Sequence, residues 1–220
     1  MANVIITGAN RGMGLEFVKQ YMAKGDTVYA LCRNSSDELN KSGAKIFDKV
    51  DVGNPECLDK FLPTLSDFKI DLLINNAGVL ANESLDDMSA ATLEYQFRVN
   101  AMGPVIVTQM LKQQLVKGAK VAMITSRMGS VTDNTSGGYY GYRMSKAALN
   151  IAGVSLAHDL KEQEVAVALL HPGYVQTEMV NNSGDISAAV AVDRLMQRIE
   201  ELNMSNTGTF WHSNGEVLPW

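Results

Sequence analysis

Tyr142 and Lys146 stand four residues apart in Tyr142-Arg143-Met144-Ser145-Lys146. On a helix this spacing puts both side chains on one face, one turn apart. An ammonium within reach of a phenol favours the phenolate. The Tyr142 pKa is therefore expected to fall from about 10 toward the range of a working general acid–base. Of the seven tyrosines, only Tyr142 has a Lys at this spacing: Tyr139 is followed there by Arg143, Tyr140 by Met144 and Tyr174 by Glu178. The pair alone is a weak signal, and its weight depends on what the rest of the chain places around it.

Two further polar residues could join it. Ser126 follows an apolar run, residues 120–125 (KVAMIT), that reads as a strand. A Ser at a strand's carboxyl end can donate its hydroxyl to a substrate carbonyl, although as an isolated residue it reads equally as a turn or cap. Asn100 lies inside a helical stretch expected over residues 89–115. An Asn there, followed by Met102-Gly103-Pro104, points to a local distortion that frees a carbonyl, or to a satisfied structural Asn.

The elements that must position these groups begin at the amino terminus. Residues 2–7 read as a short buried strand, followed by Gly8-Ala9-Asn10-Arg11-Gly12-Met13-Gly14 and by a helical pattern of Leu15, Val18 and Met22 that stops at Gly25. Strand, glycine turn and helix together suit a dinucleotide: the backbone can approach a pyrophosphate, and the helix N-terminus offers free N–H groups to it. The second strand, residues 27–32, ends at Arg33 with no acid. An acid there suits NAD and an Arg the 2′-phosphate of NADP, and Arg11 adds a second guanidinium. The preferred cofactor is NADP(H). After the third strand, residues 45–50, Asp51 can accept from an adenine amino group with Val52 beside it. Alternatively, Asp51 or Asn54 caps a helix starting near Pro55.

Residues 70–75 form a buried strand that ends in Asn76-Ala77-Gly78, where a cofactor can lie against small residues; Asn76 is expected to tie neighbouring strands together. The stretch 132–141 reads as a loop over the site. A long helix is expected from Tyr142 to about residue 161, then a strand over 165–171 and the turn Pro172-Gly173-Tyr174-Val175-Gln176-Thr177, whose Val175 backbone and Thr177 hydroxyl can meet a carboxamide. Residues 178–185 look like a small lid. Ser187 is expected to cap the last helix, and a final strand covers 207–211. Met128, Tyr139, Tyr140, Tyr174 and Met179 are candidates for an apolar substrate pocket, or for ordinary packing.

Composition bounds the alternatives. At 220 residues, 46% hydrophobic and 20% charged, the chain suits one folded domain. A net charge of −5 argues against a general nucleic-acid binder. Cys32 and Cys57 form no C-x-x-C pair and no His cluster joins them, so neither a metal site nor a disulfide framework is expected. Reduced thiols and the lack of a long apolar run suggest a cytoplasmic protein without a membrane anchor. His158, His171 and His212 are scattered and read as structural.

Taken in order, Thr7-Gly8-x-x-x-Gly12-x-Gly14, Asn75-Asn76-Ala77-Gly78, Asn100, Ser126, Tyr142-x-x-x-Lys146 and Pro172-Gly173 resemble the short-chain dehydrogenase/reductase family over essentially the whole chain. Arg33, the Asn134-Thr135-x-Gly137-Gly138 loop and the Gly215-x-x-Leu218-Pro219-Trp220 ending are most similar to C-factor and sniffer-type carbonyl reductases. The resemblance implies an α/β fold: one Rossmann-type, doubly wound domain over residues 1–220, with a seven-stranded, mostly parallel sheet and helices on both faces. It implies a tetrad in which Tyr142 is the acid–base and Lys146 lowers its pKa and holds the nicotinamide ribose. Ser126 polarises the carbonyl, and Asn100 anchors a relay water. Its substrates would be small or medium carbonyls or alcohols. The stretch from Ser126 to Tyr142 is longer than usual. Tyr139 stands nearer the usual spacing but lacks the following Lys. Assembly is left open between monomer, homodimer and homotetramer, and an NADP(H)-binding signalling protein of C-factor type is the rival reading.

Overall fold

Strand β1 (Asn3–Thr7) is a run of β-branched side chains, and from Val4 onward it is buried on both faces, as a central parallel strand must be. In this computed structural model, which describes residues 1–61 and 67–220, the glycine turn leads from β1 into helix α1 (Gly12–Ala23). Strand β2 (Thr27–Leu31), the short helix α2 (Asp37–Asn40), strand β3 (Lys45–Phe47) and helix α3 (Pro55–Phe61) follow. The chain then returns to the middle of the sheet as β4 (Ile70–Asn75). Beyond it come α4 (Ala90–Phe97), a π-helical turn (Arg98–Met102), α5 (Gly103–Met110) and β5 (Leu115–Ile124). The last third holds α6 (Tyr140–Asp159), β6 (Ala166–His171), the two-residue strands β7 (Val175–Gln176) and β8 (Ile186–Ser187), α7 (Ala188–Glu201) and β9 (Phe210–His212).

The main sheet has the order β3-β2-β1-β4-β5-β6-β9, and every neighbouring pair is parallel. All seven carboxyl ends therefore lie along one rim. The winding direction reverses between β1 and β4, which opens a crevice at that rim. Alternation along the strands sorts the core into two layers. Val4, Ile6, Val28, Ala30, Leu72 and Ile74 face α1 and α7. Ile5, Tyr29, Leu31, Leu73, Val121 and Val167 face α5 and α6. Helix α6 lies close to the sheet because its inner stripe includes Gly141, Ser145, Gly153 and Ala157. A Cβ on Gly153 would sit 2.8 Å from Leu169 Cδ2.

Four expectations change. The helix expected over 89–115 is broken: regular turns stop at Phe97, the π-helical turn inserts, and β5 already begins at Leu115 rather than near residue 120. Helix α6 starts at Tyr140, two residues before Tyr142. The proposed lid contains a 3-10 turn (Glu178–Val180), and β7 and β8 pair in parallel around it. The sheet is wholly rather than mostly parallel.

The outer edge of β9 is covered by the chain's own return. His212 N donates to Glu216 O and Leu218 N to Phe210 O, both at 2.8 Å, with Trp211 paired antiparallel to Val217. The Trp220 ring stacks on Phe210 with centroids 5.5 Å apart.

Candidate active site

The glycine turn is locked to the end of β4. Asn76 Nδ2 donates to Thr7 O at 3.1 Å and Gly8 O at 3.2 Å, and Thr7 Oγ1 accepts from Asn76 N and Ala77 N. The expected tie between β4 and β1 is thus made. A side chain at Gly14 has no room: its Cβ would lie 2.0 Å from Gly8 O. Gly12 sits at φ +52, a left-handed conformation that glycine adopts without strain. Helix α1 has no capping side chain at Arg11 and no acid in its first turn, so its N–H groups stay open to an anion.

A cleft of about 330 Å³ runs from this turn along the sheet rim. Its floor includes Gly8, Gly12 and Gly14, and Asn10, Arg11 and Met13 stand around them. One end carries Arg33, Asp51 and Val52; the other carries Asn76, Ala77, Gly78 and Thr177. These residues fit a dinucleotide phosphate: glycine backbone, an open helix N-terminus, two guanidiniums and no acid at the end of β2. Each Arg already has a partner. Arg11 pairs with Glu178 on the 3-10 turn, and Arg33 donates to the Tyr95 hydroxyl at 2.8 Å. Asp51 Oδ1 accepts from Gly53 N, while Asn54 takes the start of α3 by accepting from Glu56 N. Apolar Val50, Val79 and Val99 also line the cleft and were not anticipated. Val99 belongs to the π-helical turn, a distortion that hydrophobic spacing does not reveal.

The tetrad candidates converge beside this cleft. Ser126 lies two residues beyond β5 and caps a 3-10 turn (Arg127–Gly129), its Oγ accepting from Met128 N at 3.1 Å. It also stands near enough to the Tyr142 hydroxyl to pull the phenol's pKa down. Asn100, fully buried in the π-helical turn, accepts from Val79 N and donates to Val79 O, both at 2.8 Å, and donates to Ser145 Oγ at 3.0 Å. Ser145 in turn donates to Tyr142 O at 2.8 Å. Lys146 is buried, its Nζ 2.9 Å from Ile124 O and 5.7 Å from the centre of the Tyr142 ring.

The electrostatics differ from the expectation. Burial pushes the Tyr142 phenol above its ordinary value, against a smaller downward pull from Ser126. The Lys146 ammonium sits over the ring face and bonds to a backbone carbonyl, and it exerts no resolved pull on the phenol. Its own pKa falls to about 8, because burial disfavours the charged form. Burial also lowers His171, to about 3, with smaller contributions from His212, Arg127 and Lys146, so it stays neutral. It packs edge to face on His212 with centroids 4.9 Å apart.

Of the substrate-pocket candidates, Met179 lines the cleft. Tyr139 holds a left-handed backbone (φ +52) just before α6. Tyr174 is half exposed and bonds the Ser183 hydroxyl. Pro172, Gly173 and Val175 lie at the end of β6 and in β7, outside the cleft lining. Arg143, one residue from Tyr142, was missed. It donates to Gly138 O at 3.1 Å, Gly137 O at 3.3 Å and Ser136 Oγ at 2.9 Å, and so holds the loop that precedes its own helix. Among the described residues no His, Cys, Asp and Glu cluster could hold a metal, and no helix is long and apolar enough to cross a membrane.

The chain is similar to a 1-hydroxy-2-glutathionyl-2-methyl-3-butene dehydrogenase of Rhodococcus sp. (strain AD45), at 34% identity over the whole of both chains. It is 43% identical to the C-signal protein of Myxococcus xanthus, over 69% of this chain and 93% of that one. Among solved structures, an NADPH-bound carbonyl reductase from chicken fatty liver superposes with a TM-score of 0.88 at 25% identity, covering 100% of this chain and 99% of the other. Residues 2–188 match the short chain dehydrogenase family, and the chain belongs to it.

Proposed function

We propose that this chain is an NADP(H)-dependent oxidoreductase that interconverts a small or medium carbonyl and the corresponding alcohol, with residues 1–220 acting as one domain. The observation that carries this reading is the convergence of Ser126, just beyond the carboxyl end of β5, with Tyr142 and Lys146 one turn apart on α6, and the glycine-turn cleft alongside. When bound, NADP(H) supplies or accepts the hydride. Gly8, Asn10, Gly12, Met13 and Gly14 would hold its pyrophosphate. Arg11 and Arg33 would take the 2′-phosphate, Asp51 and Val52 the adenine, and Ala77 and Gly78 the inner ribose. Thr177, which lines the cleft, would face the carboxamide, with Pro172, Gly173 and Val175 forming the turn behind it. Ser126 Oγ and Tyr142 Oη hold the substrate oxygen, and Tyr142 gives up its proton as charge develops there. Lys146 supplies positive charge beside the phenol, and Asn100 sets the π-helical turn that backs it.

A titration with NADPH and NADH, then a turnover screen with aldehydes, ketones and quinones, tests the proposal. Tight NADPH binding with turnover of any member supports it; no binding of either nucleotide overturns it. The C-signal similarity favours a second reading, in which the protein binds NADP(H) as a signalling component. Tight binding with no turnover across the panel would favour that reading.

A further inference from the structure

The segment after Gly78 carries no motif, yet it holds the one fully buried carboxylate among the described residues. Glu83 is 4% exposed. Both of its oxygens accept hydrogen bonds: Oε1 from Gln96 Nε2 at 3.0 Å and Oε2 from Gly141 N at 2.7 Å. Its backbone oxygen accepts from Tyr139 N at 2.8 Å. Gln96 is held in turn, since its Oε1 accepts from Ala81 N at 2.9 Å. The fit is tight. A Cβ on Gly141 would lie 2.3 Å from Gln96 Nε2 and 2.8 Å from Glu83 Oε2.

Helix α6 lacks a cap of its own. Tyr139 at its N-cap makes no side-chain hydrogen bond, and the first turn carries no acid. A helix N-terminus presents unpaired N–H groups and a partial positive charge, which a carboxylate satisfies on both counts. Here that carboxylate comes from a distant segment and bonds the residue next to Tyr142. On the other side of the same turn, Asn100 and Ser145 fasten the Tyr142 carbonyl.

We propose that Glu83 is a positioning residue for Tyr142, a carboxylate cap supplied from another segment that fixes the first turn of α6 and sets the phenol against Ser126. The proposal rests on the functional reading above. The charged and titratable groups around that turn are Lys146 and Arg143 on α6, Arg127 on the turn after β5, the phenols of Tyr139 and Tyr140, and Glu83 itself. Arg127 is paired with its own carboxylates, Asp133 and Glu216, which leaves Glu83 as the anion bonded to the first turn of α6. Its removal takes that negative charge away and favours the phenolate.

The test compares wild type, Glu83→Gln and the double exchange Glu83→Gln with Gln96→Glu. In the exchange, the amide at 83 still accepts from Gly141 N, and its NH2 donates to the carboxylate at 96. That carboxylate also accepts from Ala81 N, so the bonds to Gly141 N and Ala81 N and the 83–96 link are rebuilt and the charge is kept, with only the long 3.4 Å contact from residue 96 to Thr92 O lost. Phenol ionisation of Tyr142 is followed by absorbance difference against Tyr142→Phe in each background, a readout that needs no turnover. Glu83→Gln is expected to lower the phenol midpoint by roughly half a pH unit or more. It should lower kcat about tenfold with NADPH affinity within about twofold, as a misplaced acid–base would. The exchange should recover most of both. An unmoved phenol midpoint in Glu83→Gln, whether or not the melting temperature falls, overturns the proposal by reducing Glu83 to a stability element. A wild type without turnover would instead overturn the functional reading, and the phenol titration would still decide the role of Glu83.

Discussion

Tyr142 keeps its proton because partial burial disfavours the phenolate, while Lys146, expected to loosen that proton, is spent on Ile124 O. A group that must be protonated to donate loses activity as pH rises through its pKa, so under the proposed mechanism the raised value is expected to keep reduction running at and above neutral pH. Tyr142→Phe is expected to lower turnover at least about a hundredfold with NADPH affinity little changed; steady-state kinetics beside a binding titration check it. Lys146 makes a separate prediction for stability. Its folded pKa of about 8 lies below the ordinary value of 10.5, so folding disfavours its charge. Below about pH 8 both states hold the proton and the whole cost is felt; from there to about pH 10.4 the unfolded chain binds more protons, so stability rises with pH. Lys146→Met should therefore gain roughly 2 kcal/mol at pH 7, after about 1 kcal/mol is lost with the bond to Ile124 O, and should lose turnover. Urea unfolding at pH 7 and 9.5 checks this, with the gap expected to narrow at the higher pH.

The strands of the dinucleotide half were legible as elements because each is a short apolar run bounded by glycine or a polar turn. Residues 70–75 were placed without error. The stretch from Ser89 to Leu115 was not, because a π-helical turn costs one extra residue per turn and leaves no mark on apolar spacing; only Asn100 and the following Gly103-Pro104 hinted at it. The residues proposed as a tetrad could be singled out because they sit in local motifs, and the fold brings them together. Glu83 and Arg143 were not, because their roles depend on partners that only the fold brings near: Gly141 lies 58 positions from Glu83. The glycine turn yields its own prediction. Gly14→Ala places a Cβ 2.0 Å from Gly8 O and 2.7 Å from Asn76 Nδ2, so the turn and the tie to β4 cannot both survive. A loss of about 3 kcal/mol by denaturant titration is expected, together with loss of nucleotide binding.

For the molecule as a whole, an all-parallel sheet gathers its loops at one rim, so a nucleotide in the cleft would touch segments from β1, β2, β4 and β7 at once. NADPH at about one hundred times its dissociation constant should raise global stability by about 2.7 kcal/mol, read as a higher melting temperature. In Arg33→Ala the gain from NADPH at the same concentration should shrink while that from NADH stays; equal shrinkage would remove Arg33 from the 2′-phosphate site. The return of the chain over β9 has a different consequence. A sheet's outermost strands are templates on which foreign strands can assemble. One margin of this sheet is occupied by residues 216–218 and roofed by Trp220, and the other, β3, is only three residues long. Neither offers a length of open backbone to a neighbouring molecule, so in crowded solution this fold is guarded against fibrillar self-association at both margins.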